Sequence, residues 1–446
     1  MEQLYTWLLA LSIILINPWG ASRGQIWTQP KFFILLLLCV TNLLALFPLP
    51  DNFRLTRSWR ISCWLWQIFL GIGLLASFNS PFPGRSFLGQ EEMGDGWLYW
   101  LVVAVFTLSN SLLLQLYPQL ARAQFKGILI GGAVLAASIF PQVINWRIDY
   151  TATTGQLLKD NILVSSIFQD HQPIGLYSHR GHAGIVLSMA LLLGIIGYRQ
   201  RWLKMRTLVL IGGLIVPALL LTKTRAIILA VGVAIAYLFS PKYPKIISII
   251  AAIGLAIIVL LSSPKKIANL PLIKQITSDR VYLWELAVRG IQERPLWGWG
   301  FDGFGIAYPH ILNQENPPTI VNLNDLTFTY MNVEGERRKQ ALISNKAHNL
   351  FLDVLLSVGW LGMVAYTLLL GFYCWQTILS PFREVEAVTI AYLVFGLTWF
   401  ECAQYSHLIW WSLSLAMAQE KNNMLGDRAS DVTLFSNGLQ ESLSEE

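Results

Sequence analysis

The stretch KAHNLFLDVLLSVGWLGMVAYTLLLGFY, residues 346–373, decides the fold. After Asn349 it stays apolar long enough to cross a bilayer, which takes about 20 helical residues. Yet it opens with an ammonium, an imidazole and an amide, and carries Asp353 one turn further in. Ionisable groups are expensive in lipid, so a polar threshold of this kind points to function by default. The plainer alternative for His348 is an interfacial ring that hydrogen-bonds a helix end. Choosing between them depends on what else the chain places on the same side.

Of 446 residues, 54% are hydrophobic and 13% charged, and the mean hydropathy is +0.51. Soluble domains carry roughly a quarter charged residues, so this is an integral membrane composition. Eighteen tryptophans and fifteen tyrosines fit two interfacial aromatic belts. Cys39, Cys63, Cys374 and Cys402 lie scattered in apolar segments with no CxxC or Cys/His spacing, and read as small buried hydrophobes. The start MEQLYTW is acidic and no A-x-A site follows, which reads as a retained first span rather than a cleaved signal.

Twelve candidate spans follow from hydropathy: 4–19, 31–49, 61–78, 97–117, 126–144, 181–198, 206–222, 225–240, 245–262, 350–377, 386–401 and 404–419. The expected fold class is all-α and polytopic, divided into spans 1–9 over 1–262, a large loop over 263–349, spans 10–12 over 350–419 and a disordered acidic tail over 420–446. Short-loop Lys/Arg content sets orientation. Arg54, Arg57, Arg60, Arg122, Lys126, Arg199, Arg201, Lys204, Arg206, Lys242, Lys245 and Arg383 fall on one side, the expected cytoplasmic one, with both termini. The segments at about 143–180 and 263–349 then lie outside, and loops this long are usually functional. His171, His179, His182, His310, His348 and His407 all fall on or near that outer side. Chemistry placed there excludes a cytosolic nucleoside triphosphate as direct energy source.

Within the larger loop, TSDRVYLWELAVRGIQERP reads as one helix capped by Ser278 or Asp279 and stopped by Pro295, with an apolar stripe of Val281, Trp284, Val288 and Ile291. Arg280 sits in its first turn, where helix N-termini already favour anions. Pairing with a neighbouring acid or a lipid phosphate is the bland alternative. LWGWGFDGFG lacks the GxGxxG pattern after a strand and reads as a tight turn packed under Trp297 and Trp299. Arg225, in LLLTKTRAIILA, opens a span and either serves function or snorkels beside Lys223. YSHRGHAG brings His179, Arg180 and His182 to the sixth span as part of the same polar rim. At the opening stretch, His348 suits a general base near neutral pH. Lys346 would add positive charge, Asn349 would orient the imidazole or bind a hydroxyl, and Asp353 is a candidate orienting carboxylate. No His/carboxylate spacing suggests a metal site, and neither a cofactor nor nucleic acid is expected. Arginines grip diphosphates bidentately and stabilise charge on a leaving group. With a histidine base, that describes metal-free group transfer from a lipid-linked diphosphate. The competing class is a small-anion transporter, which would favour broken helices or ionisable groups near the bilayer midplane, ideally in an inverted repeat.

The order TKTRAIILA, then DRVYLWELAVRGIQERPLWGWGFDGFG, then KAHNLFLDVLLSVGWLGM resembles the C-terminal half of the O-antigen ligase/polymerase superfamily, over roughly Tyr177 to Trp411. That resemblance implies a GT-C-like glycosyltransferase of twelve spans in the bacterial inner membrane, with its large loop and active site facing the periplasm. It implies an undecaprenyl-diphosphate-linked glycan as donor, inverting transfer without metal, and a lipid A–core, glycan or protein acceptor. It places the diphosphate on Arg225 and Arg280 and the base on His348. TKTRA departs from the commoner serine- and glycine-rich form around that first arginine.

Overall fold

Apolar runs separated by short polar turns leave the backbone one economical solution in lipid, the helix, because each N–H and C=O is then satisfied within its own segment. The computed structural model describes residues 1–47, 54–143, 173–239, 280–312, 319–332, 334–380, 382 and 384–417. The helices there are α1 (Glu2–Ile14), α2 (Gln29–Leu46, entered through a π-turn at Gly24–Thr28), α3 (Arg57–Phe78), α4 (Pro83–Leu88), α5 (Trp97–Leu116), α6 (Gln119–Val143), α7 (Arg180–Arg199), α8 (Met205–Leu221), α9 (Arg225–Phe239), α10 (Val281–Glu293), α11 (Gly303–Ile311), α12 (Leu350–Leu379), α13 (Glu386–Gly396) and α14 (Ser406–Leu415). Among the described residues, six stretches are long and apolar enough to cross a membrane: Gly24–Leu46, Arg57–Phe78, Trp97–Leu116, Gln119–Val143, Arg180–Arg199 and Leu350–Leu379. Shorter apolar helices stand at α8, α9 and α13. The expected span 245–262, His171, Ser278, Asp279 and the tail lie outside the described residues.

The connections gather at two ends. At one, Arg199 pairs with Glu384 at 2.7 Å and donates to the Leu238 carbonyl at 2.9 Å, while Arg122 reaches the Trp202 carbonyl at 3.3 Å. At the other, Arg23 pairs with Glu92 at 3.3 Å, Arg294 donates to the Asn79 carbonyl at 3.0 Å, and Gln404 donates to Ser178 at 2.8 Å. The turn TKTR separates α8 from α9 through Lys223 in the left-handed region, at φ +50°.

The large loop is not purely helical. The expectation of an all-α chain is corrected by a three-stranded antiparallel sheet, β1 (Thr319–Leu323), β2 (Thr327–Met331) and β3 (Arg337–Ala341), in the order β1-β2-β3. Alternation in TFTYM turns Phe328 inward, into a second core with Leu286, Trp299, Tyr308, Leu355 and Leu356. Leu355 and Leu356 come from α12, so the loop packs around the first turns of that helix. Phe301 anchors it to the main bundle, against Phe69 at 6.0 Å and Trp100 at 6.3 Å. Gly73 admits the ring, since a Cβ there would lie 2.5 Å from it.

The deciding stretch itself is broken. α12 is two helices meeting at Gly359, with φ +64° and ψ −173°. The carbonyls of Leu356 and Ser357 accept the N–H groups of Trp299 and Gly300 at 2.9 and 2.8 Å, and Trp360 donates to the Pro295 carbonyl at 2.8 Å. The glycine-rich turn therefore replaces the hydrogen bonds that the break removes. Trp299 is buried as expected of that turn, but Trp297 is exposed, beside exposed Trp360 and Leu361. The residues from Trp360 to Leu379 still suffice for a span, which needs about 20.

Candidate functional site

His348 stands just before α12 in the left-handed region, at φ +55°, where residues other than glycine are uncommon. Its neighbours hold it there. The Ala347 N–H donates to Asp353 at 2.8 Å, and the Asn349 side chain caps α12 by accepting from the N–H groups of Phe351 and Leu352, both at 3.1 Å. Asn349 also donates to the Leu397 carbonyl at 3.0 Å. The amide is thus engaged with backbone through both its oxygen and its nitrogen, with one of its two N–H groups used by Leu397. Asp353 likewise fixes the approach to the histidine without touching its ring.

The imidazole packs edge-on against Trp399 and Phe400, with centroids at 5.3 and 4.9 Å. Arg280, the residue preceding α10, lies with its guanidinium carbon 5.0 Å above the Trp399 ring and donates to the Thr398 carbonyl. His179 approaches the same ring at 5.2 Å and caps α7 through Nδ1, which accepts from the Gly181 N–H at 2.9 Å. His182 completes the group, 5.7 Å from His179. Four segments distant in sequence, 179–182, 280, 348 and 398–400, therefore meet around one indole. Sealed inside it are His348 Nδ1, His182 Nε2, Thr398 Oγ1 and Trp399 Nε1, each without a hydrogen-bond partner among the described residues. Buried polar groups are nearly always paired, so four orphans in one place suit a polar ligand.

The electrostatics are cationic. Burial first, then Arg280 and His179, push the pKa of His348 down to about 3. Burial, then Arg180, Arg23 and Arg280, bring His179 to about 3 as well. Burial, then Arg180, lowers Arg280 to about 10, still charged at neutral pH. His348 is therefore a neutral ring beside a permanent cation, able to accept a proton.

Lys346 is placed otherwise than its sequence position suggests. It is buried against Asp95 and sits 3.4 Å from Asp302, which Arg85 holds in turn at 2.6 Å. Burial would lower its pKa, but Asp95 and Asp302 overcome that and hold it raised. The expectation of added positive charge is corrected: two carboxylates already neutralise it. Arg225 is exposed at the first turn of α9. Two residues on, Ile227 packs where a Cβ on Gly184 would stand 3.0 Å away, so α9 begins beside the first turn of α7 that carries Arg180. His310 is elsewhere, stacked on Trp299 at 5.2 Å, and His407 is buried within α14. Among the described residues no group of three or more His, Cys, Asp or Glu is arranged to hold a metal.

Residues 210–367 match the family described as O-Antigen ligase. That match supports a likeness to the O-antigen ligase superfamily over this part of the chain. No curated protein matches the chain. The O-antigen ligase match takes in Arg225, Arg280 and His348, whereas Arg180, His179 and Trp399 lie outside it. Sequence reading passed over Trp399, Thr398, Asp95, Arg85 and Asp302. In the sequence LTWFE, Trp399 is one more aromatic residue in an apolar span, with nothing to single it out.

Proposed function

We propose that this membrane protein transfers a glycan from an undecaprenyl-diphosphate carrier to an acceptor at the periplasmic face of the inner membrane, most simply lipid A–core. The observation that carries this reading is the convergence of Arg280 and His348 on one buried aromatic cluster, from two ends of a loop that lies within the O-antigen ligase match. Arg280 and Arg225 take the diphosphate, with Arg180 as supporting positive charge and His179 as a neutral polar neighbour at the rim. His348 removes the proton of the acceptor hydroxyl as it attacks the anomeric carbon, and the carrier diphosphate leaves with inversion. The arginines stabilise the charge that develops on the leaving group. A diphosphate bound beside Arg280 offsets the positive field that depresses the imidazole, so donor binding itself makes His348 a stronger base.

A polymerase or a protein O-oligosaccharyltransferase would use the same donor and differ in acceptor alone. The transport reading gains a broken helix at Gly359, but the backbone groups freed there are taken by the 295–300 turn rather than offered to an ion. Transfer is therefore favoured. The test is purified protein with a fluorescent undecaprenyl-diphosphate oligosaccharide and a mixture of lipid A–core, glycan and protein acceptors, with and without chelator. Chelator-resistant movement of label onto one acceptor is expected. His348→Ala should lower transfer about 10²- to 10⁴-fold, the range of general-base catalysis, with donor binding kept. Arg280→Ala should weaken donor binding about 10- to 100-fold, as for a charge-assisted hydrogen bond. Near wild-type transfer by His348→Ala would remove the base from the scheme.

A further inference from the structure

Arg280 and His348, the residues assigned to donor and base, both pack against Trp399. We infer that Trp399 is the positioning residue of this site, its face carrying the Arg280 guanidinium and its perpendicular contact setting the His348 ring. The inference rests on the roles just proposed for those two residues.

Arg280 is fixed in two directions by two consecutive residues, the indole face at 5.0 Å and the Thr398 carbonyl that accepts from Nη1. A long, rotamer-rich side chain held this way keeps its remaining N–H groups aimed at one place, which lowers the ordering needed when an anion arrives. His348 meets the same ring at an interplanar angle of 79°, so the indole limits the tilt of the imidazole. The indole is itself held firmly. Phe395 and Phe400 stack on it at 5.3 and 5.4 Å, with interplanar angles of 27° and 13°. Gly181, in the first turn of α7, gives it room, since a Cβ there would stand 2.6 Å from Cη2. Trp399 is 3% exposed, so its contacts are made away from water, where a cation–π contact corresponds to about a 30-fold change in an equilibrium.

The test compares Trp399→Leu, which removes the π face, with Trp399→Phe, which keeps one, in the purified full-length protein. Two readouts are taken: affinity for the fluorescent undecaprenyl-diphosphate oligosaccharide, and the rate at which diethyl pyrocarbonate modifies His348, followed by mass spectrometry. Trp399→Leu should weaken donor binding about 30-fold and Trp399→Phe only about threefold. His348 should be modified faster in the leucine variant and near the wild-type rate in the phenylalanine one. The acid limb of the turnover profile should move up towards the ordinary histidine range in Trp399→Leu, as water reaches the ring. If the leucine variant does not fold, Trp399→Met fills the volume without a π face and takes its place. Wild-type affinity and wild-type His348 reactivity in Trp399→Leu would overturn the inference. So would a phenylalanine variant no better than leucine at equal thermal stability. A wild-type protein that binds no lipid diphosphate would instead sink the transfer reading, while the modification rates would still judge Trp399.

Discussion

At the scale of single residues, the site is a set of charges and rings taken out of water, and its consequences are pH and pairing. His348 and His179 have pKa values near 3 in the folded chain against about 6.5 when exposed. Below about pH 6.5 the unfolded chain binds protons that the native state refuses, so stability falls as pH drops from there towards 3. Thermal unfolding in detergent between pH 7 and 4 should show that decline, and His348→Gln should flatten part of it. A slope unchanged by the substitution would mean the ring is not held neutral. Lys346 makes a different prediction. Its removal as Lys346→Met leaves Asp95 and Asp302 buried with less compensation, and breaking a buried pair costs about 3–5 kcal/mol. Adding Asp95→Asn to that variant should recover part of the loss, a coupling that a double-mutant cycle of unfolding free energies reads directly.

At the scale of elements, the instructive one is α12. Its hydropathy marked a span, and the helix is there, but nothing in SVGWLG distinguishes a glycine that packs from one that breaks. The break depends on a partner 60 residues earlier in the chain, and hydropathy does not see partners. Gly359 and Gly371 give the contrast. At Gly359 a Cβ would stand 2.6 Å from the Trp297 nitrogen, in a backbone region only glycine tolerates well; at Gly371 it would meet nothing within 4 Å. Gly359→Ala should therefore lose at least about 1–3 kcal/mol from backbone strain, and lose donor binding with it as the 295–300 turn detaches. Gly371→Ala should be neutral or stabilising, because alanine is the better helix former by about 1 kcal/mol. Equal melting temperatures for the two variants would contradict the geometry. The sheet was hidden for a related reason. β3 reads RRKQA, fully exposed, with none of the apolar alternation that signals a strand, and only its pairing to β2 makes it one. Of the site, His348, Arg280 and the SHRGH segment were legible because ionisable groups stand out at the edge of an apolar run. Trp399 was not, since one more aromatic in a membrane chain carries no signal until its neighbours are known.

At the scale of the whole molecule, the distribution of charge between the two ends makes the last prediction. The end that holds Arg122, Arg199 and Lys204 has short connections, where Lys and Arg decide orientation. The end that holds the site has the long loop, whose charges have little say. Arg337, Arg338 and Lys339 on β3 are exposed there, and a count of basic residues that ignored loop length would point the wrong way. The short connections should prevail, putting the site outside the cytoplasm, where a lipid-linked glycan and no nucleotide would be its donor. Single cysteines decide it, with Cys63 and Cys374 replaced by serine and the buried Cys39 and Cys402 left in place. In right-side-out spheroplasts a membrane-impermeant maleimide should label Arg338→Cys at once, and Lys204→Cys only after permeabilisation. The reverse pattern would put His348 and Arg280 on the cytoplasmic side and make a nucleotide-linked donor the one to test. Labelling of both before permeabilisation would mean that these two ends do not lie on opposite sides of the membrane.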